Sequence, residues 1–139
     1  MAKSSKTSIL RSYGDTNLNI LKLYTFFEQK WVENGVGDMK VLKKEEQDQD
    51  QEQDKKSKYW LLMRNEETSS IILNHLLTSK ITFKKSSPKS LTWTALDFSY
   101  PEELKLEEDK GKGEVKIFSV RFKNESGVDD FLEIIGLIK

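Results

Sequence analysis

The sequence predicts a mainly β fold, an antiparallel barrel or sandwich of seven strands with one C-terminal α-helix packed on an open end. Two observations predict it. Seven short apolar runs, rich in β-branched and aromatic residues, alternate with polar segments between residues 21 and 122. After Asn124 the spacing changes, and Phe131, Ile134, Ile135 and Ile138 recur at i, i+3, i+4 and i+7, the stripe of an amphipathic helix.

The seven runs are "LKLYTF" (21–26), "GDMKVLK" (37–43), "KYWLLMR" (58–64), "SIILNHLL" (70–77), "KITFKK" (80–85), "LTWTALDF" (91–98) and "VKIFSVRF" (115–122). The last shows the half-buried pattern most clearly, with Phe118, Val120 and Phe122 on one face and Ser119, Arg121 and Lys123 on the other. For the helix, Ser126 is the expected cap, and Asp129 and Asp130 suit a positive first turn. Gly136 weakens its end, since an interior glycine costs about 1 kcal/mol relative to alanine. Residues 1–16, with Lys3, Lys6 and Arg11 against Asp15, read as a flexible, mildly basic arm. The stretch "EEQDQDQEQD" (45–54) has six carboxylates, no base and no apolar anchor, which predicts an acidic solvated loop over 45–57 inside a hairpin. A second insert, 99–114, holds Pro101, Gly111 and Gly113 and connects the last two strands. One domain over 17–139 results. A seven-stranded pleckstrin-homology-like barrel capped by one C-terminal helix has this inventory.

Composition narrows the function. A chain of 139 residues suits one core. Lys plus Arg and Asp plus Glu are equal at 23 each, so no global field favours nucleic acid or an anionic membrane, and a charged partner must meet a local patch. Cysteine is absent, which excludes disulfides, thiolate metal sites and a cysteine nucleophile. No apolar run reaches the roughly 18 residues of a membrane span, and no secretory signal opens the chain. The expected location is intracellular.

Enzyme chemistry finds little support. His75 is the one histidine, and no Gly-x-Ser-x-Gly elbow supplies a nucleophile for it, so a structural role is expected. Asp48, Asp50 and Asp54 lack the glycine and closing glutamate of a calcium loop. Gly35 and Gly37, like Gly111 and Gly113, precede a strand rather than a helix, so tight turns or bulges are expected in place of a phosphate cradle. Neither metal nor cofactor is expected. Lys80, Lys84, Lys85 and Lys89 form a +4 run that is either a solvated face or a site for an acidic peptide. Trp31, Trp60 and Trp93 are expected in the core unless one anchors a partner.

The order "LKLYTF", "WVENGVGDMKVLKK", "LLMR", "ILNH", "LDF" and "IFSVRF" before a final helix resembles the Ran-binding domain family over about residues 20 to 138. Its most specific piece is the pattern of Trp31, Glu33, Gly35, Gly37, Asp38 and Lys40. The resemblance implies a pleckstrin-homology-like barrel that is not an enzyme. It implies binding to the small GTPase Ran in its GTP form, a grip on Ran's acidic C-terminal tail, and help with GTP hydrolysis by the Ran GTPase-activating protein and with release from transport receptors. A cytoplasmic, nuclear or nuclear-pore location follows. Partner-binding positions implied by the match are Trp31, Glu33, Lys40, Lys43, Arg64, Asn74 and Arg121, with Arg64 the first charge contact. The glycines then shape a turn into the second strand.

This chain departs from the family pattern in places. Val32 and Asn34 stand where basic residues are common, the stretch after "LLMR" is Asn65, Glu66 and Glu67, and residues 1–16 are net basic where family members carry an acidic segment. Fewer charge contacts predict a weaker grip, since each 1.4 kcal/mol is about tenfold. The alternative reading keeps the barrel as a scaffold for another protein or peptide. Phosphoinositide binding is disfavoured by the carboxylates of 45–54, which would repel an anionic surface.

Overall fold

The computed structural model describes residues 4–13, 21–47, 56–100 and 102–138. The described residues form eight strands and one α-helix, β1 (Ser4–Tyr13), β2 (Leu21–Phe27), β3 (Lys30–Gln47), β4 (Lys56–Asn65), β5 (Ile71–Leu77), β6 (Lys84–Ser87), β7 (Ser90–Asp97), β8 (Glu114–Arg121) and α1 (Glu125–Ile138), with two single 3-10 turns at Glu102–Leu104 and Glu107–Asp109. All pairings are antiparallel, in the order β5-β4-β3-β2-β8-β7-β6. The mainly β class and the single C-terminal helix match the expectation from periodicity.

The eighth strand corrects that expectation. Residues Ser4–Tyr13, read from sequence within a flexible arm, pair with Met39–Gln47 of β3. The reason is the length of β3. At 18 residues it outruns β2, which pairs only with Lys30–Gly37, and the edge left open is taken by β1. Tyr13 secures the end of β1 in the core, in edge-on contact with Phe122 and Phe131, and its hydroxyl donates to Asp130 of α1 at 2.8 Å. Burial and that carboxylate both raise the phenol's pKa. Residues 1–3 and 14–16 of the expected arm lie outside the described residues.

The acidic loop is also shorter than expected. Strand pairing continues through Glu45↔Ser57 and Glu46↔Lys56, so the 45–57 segment is partly ladder, and 48–55 lies outside the described residues. The run at 80–85 becomes a strand only from Lys84, while Ile81 anchors the preceding coil in the core. The helix starts two residues earlier than Ser126 suggests. Asn124 is its cap, with its side-chain oxygen accepting from Gly127 N–H at 3.0 Å and from the Ser126 hydroxyl. Asp130 is thereby moved out of the first turn and toward β1, where Arg11 joins it at 3.4 Å.

Val128, Phe131 and Ile135 of α1 cover the core formed by Leu21, Leu23, Met39, Leu61, Met63, Trp93, Phe118 and Val120, all buried. The edge strand β5 meets the end of β7 without a ladder. Phe98 N–H donates to Asn74 O at 2.8 Å, and the Asp97 carboxylate accepts from Asn74 N–H at 2.9 Å, tying β5 to the end of β7. Lys116 reaches the same carboxylate at 3.2 Å, and Ser99 contributes its N–H and hydroxyl.

Gly35 and Gly37 sit inside β3 rather than in a turn. Leu23 pairs with Gly35 but Tyr24 with Glu33, so Asn34 is the extra residue of a β-bulge, and its amide donates to the Thr25 hydroxyl. Gly35 has φ +153, a conformation that side chains disfavour. The bulge bends β3 so that its first half belongs to the sheet with β2, β8 and β7, and its second half to the sheet with β1, β4 and β5.

Candidate functional site

Six of the seven positions implied by the sequence fall on two outer faces, one on each side of the bulge, and Lys43 falls on neither. On the first, Trp31 pairs with Phe26, Glu33 with Tyr24, and Arg121 with both Lys22 and Ser90. Strand alternation aims these side chains outward, since Leu21, Leu23, Phe118 and Val120 between them are buried. Trp31 is 46% exposed, with its ring edge-on to Phe26 at 5.2 Å. A cavity of about 250 Å³ is lined by Tyr24, Trp31, Ser90, Ser119 and Arg121. Lys22 and Arg121 stand directly opposite each other, an arrangement of like charges that costs stability until an anion bridges them. Arg121 makes no ion pair among the described residues, so its guanidinium is available for bidentate capture of a carboxylate beside an aromatic wall.

The second face carries Lys40, Arg64 and Asn74. Lys40 and Asn74 both pair with Leu62, and Arg64 pairs with Asp38. Arg64 is exposed, and one guanidinium nitrogen donates to Ser69 O at 3.1 Å across the β4–β5 turn. That turn is organised by Asn65, whose side-chain oxygen accepts from Glu67 N–H at 2.8 Å and Thr68 N–H at 3.3 Å. The arginine is therefore held by a folded turn, with its remaining donors facing solvent. Lys40 bonds Asp38, which also accepts from Ser12 of β1 at 2.9 Å. Asn74 contributes its backbone to the β5–β7 closure. Lys43 lies on the opposite side of β3 from Lys40 and is bound to Glu45 at 2.9 Å, which raises its pKa. The structure thus brings Trp31, Glu33 and Arg121 together, groups Lys40, Arg64 and Asn74 separately, and leaves Lys43 apart from both.

The +4 run at 80–89 is exposed as a solvated face requires, but Lys85 is engaged with Glu125 at 2.8 Å and fastens β6 to the first turn of α1. His75 is wholly buried in β5, stacked on Phe118. Its Nε2 accepts from the Trp93 indole N–H at 3.0 Å and its Nδ1 donates to Leu76 O at 2.8 Å, a neutral tautomer with both nitrogens satisfied. Burial lowers its pKa from the ordinary 6.5, opposed by the Leu76 carbonyl and by Asp97. Stability contributed by this histidine is complete above about pH 6.5, and falls below it because only the unfolded chain takes up the proton readily. Urea titrations at pH 7.5 and 5.5 are expected to differ by about 1 kcal/mol more for the wild type than for His75→Gln. An equal difference in the two proteins overturns this assignment.

Among the described residues no group of three or more His, Cys, Asp or Glu side chains is placed to hold a metal, and no helix is long and apolar enough to cross a membrane. The family model described as RanBP1 domain matches residues 18–137. The chain belongs to the RanBP1 domain family.

The chain is 31% identical over 114 residues to the E3 SUMO-protein ligase RanBP2 of Drosophila melanogaster, covering 82% of this chain and 4% of that protein. It is 33% identical over 118 residues to Ran-binding protein 1 homolog c of Arabidopsis thaliana, covering 81% of this chain and 44% of that one. The chain therefore spans less than half the length of either relative. Its fold is like that of the Ran binding domain of the nuclear complex component Nup2 from Ashbya gossypii, with a TM-score of 0.61 at 15% identity over 94% of this chain and 92% of that one. In this RanBP1 domain the tryptophan–glycine motif is a bulged strand, and its outward residues Trp31 and Glu33 share a face with Lys22, Tyr24, Phe26 and Ser119, which sequence reading had not singled out. Alternation along β2 and β8 was the signal for them, with Lys22 between the core positions Leu21 and Leu23, Tyr24 following them, and Ser119 between Phe118 and Val120.

Proposed function

We propose that this RanBP1 domain binds the small GTPase Ran in its GTP-bound state. In this reading it is a non-enzymatic accessory module of nucleocytoplasmic transport at the pore, in the nucleus or in the cytoplasm. It assists GTP hydrolysis with the Ran GTPase-activating protein and release from transport receptors. The observation that carries the reading is the family match over residues 18–137. The geometry supplies a mechanism consistent with it. Two outer faces present cations, Arg121 beside Trp31 and Arg64 beside the β4–β5 turn, without carboxylate partners among the described residues. A mobile acidic tail is held by such fixed donors through charge-assisted bonds that offset the entropy of ordering it. Nucleotide state is then sensed through the availability of the tail.

A second reading, a scaffold that binds another protein or peptide on the same faces, draws on Glu66 and Glu67 in the turn beside Arg64, where carboxylates reduce the positive field that an acidic tail requires. Calorimetric titration of the chain into Ran carrying a non-hydrolysable GTP analogue, and in parallel GDP, separates them. Preference for the GTP form, with at least about tenfold weaker binding of Arg64→Glu, is expected. Absence of binding to either form at high micromolar concentration discards Ran as the partner.

A further inference from the structure

Between β7 and β8 the chain is longer than the hairpin requires. Asp97 pairs directly with Glu114, a closure that about two to five residues complete, yet residues 98–113 fill the gap. The segment is folded on its own backbone. Asp109 N–H donates to Leu106 O at 2.9 Å, Lys112 N–H donates to Asp109 O at 3.1 Å, and the Lys105 ammonium clasps Lys112 O. At its base Gly113 comes so close to β7 that a Cβ there would sit 2.8 Å from Asp97 O. The result is a cleft of about 530 Å³, within the roughly 300–1,000 Å³ of ligand sites. Its apolar lining is Tyr100, Leu104 and Leu106, and the two leucines are 66% and 67% exposed. Leu96 reaches the rim beside Gly113 and pairs with Val115, and both are exposed. None of these five side chains belongs to the core cluster. Single exposed leucines are ordinary, but three large apolar side chains around one preformed cleft, with two more beside it, mark an interaction surface.

The charge around the cleft selects the kind of partner. Residues 103–114 hold five carboxylates against three lysines. Lys110 is paired with Glu107 at 2.9 Å, and Lys105 is turned to the Lys112 carbonyl. Glu103, Glu108, Asp109 and Glu114 make no ion pair among the described residues, and Asp109 and Glu114 line the cleft itself. Lys112, which also lines it, offsets only part of that charge. The rim is therefore net negative, opposite in sign to the faces of Arg121 and Arg64, and it repels an acidic segment. The cleft is also distinct from those faces in place. None of the seven candidate partner positions lines it, and Glu114 is seven residues from Arg121 along β8, about 23 Å of extended chain. A second copy docked by two-fold symmetry would oppose these carboxylates to themselves, which disfavours a dimer.

We propose that this cleft docks a short basic segment of a partner protein, with one large apolar side chain seated against Tyr100, Leu104 and Leu106 and flanking lysines or arginines toward Asp109 and Glu114. The surface does not depend on Ran being the partner of the outer faces. The probe is a fluorescent synthetic peptide with a central phenylalanine between paired arginines on a Gly-Ser background. Two comparison peptides carry serine in place of the phenylalanine, or glutamates in place of the arginines. Fluorescence anisotropy at low salt is expected to give at least about tenfold tighter binding of the probe than of either comparison peptide, and about tenfold weaker binding of the probe to Leu104→Ser/Leu106→Ser. Asp109→Asn, which removes one exposed charge and leaves the core untouched, is expected to weaken binding about threefold at low salt, an effect that keeps the test decisive should the double variant misfold. Equal affinity for the three peptides, or unchanged affinity in Asp109→Asn and in a folded double variant, overturns the proposal. So does sedimentation showing that the wild type self-associates through the cleft and the double variant does not.

Discussion

Asp97→Ala is expected to lower the unfolding free energy by about 4 kcal/mol in urea titrations followed by tryptophan fluorescence. The carboxylate is 2% exposed and accepts from the Asn74 and Ser99 backbone N–H groups, the Ser99 hydroxyl and the Lys116 ammonium. Removing it leaves a partly buried cation and two N–H donors without their acceptor, and each buried unsatisfied donor costs about 1–3 kcal/mol. The loss falls at the place where β5 and β7 meet without a ladder, so it opens the barrel rather than a surface loop. Hydrogen exchange at Phe98, whose N–H donates across the gap to Asn74, is expected to accelerate in the variant more than exchange in the β3–β4 ladder. A loss below about 1 kcal/mol shows that the clasp does not close the fold.

Gly37→Ala is expected to cost about 3 kcal/mol, again by urea titration. A Cβ at this position would lie 1.9 Å from the backbone oxygen of Arg64 on β4, and a strand backbone held by its ladder cannot rotate aside as a side chain would. Because the clash displaces Arg64 itself, binding through that arginine weakens together with stability. Gly136→Ala is the matched control. Nothing lies within 4 Å of a Cβ there, and in a helix the change stabilises by up to about 1 kcal/mol. Equal effects of the two substitutions would sink the close-approach explanation of Gly37.

The family motif in β3 was legible because Trp31, Gly35, Gly37 and Asp38 stand at a fixed spacing in one segment, and a bulge was among the readings open for its glycines. The cap of α1 was misplaced by two residues because Asn124 and Ser126 are both competent acceptors, and the end of β8 at Arg121 decides which one meets the helix. Lys43 looked equivalent to Lys40 in sequence, yet three positions along a strand is an odd number, so the two point to opposite sides.

By itself the sequence determined the mainly β class, the C-terminal helix and the family, because strand alternation, helical spacing and motif spacing are local properties of a chain. Only the tertiary structure decided that Ser4–Tyr13 is a strand, that Asp97 ties β5 to the end of β7, and that six of the candidate partner residues divide between two faces while Lys43 joins neither. Each of those depends on a residue far away in sequence. β1 is ordered by an edge that β2 leaves open, Asp97 is satisfied by β5, and the division of the faces follows from a bulge that exists only where β3 meets β2. Pairing across strands is a non-local choice among edges and registers, and no periodicity within one segment encodes which edge remains free.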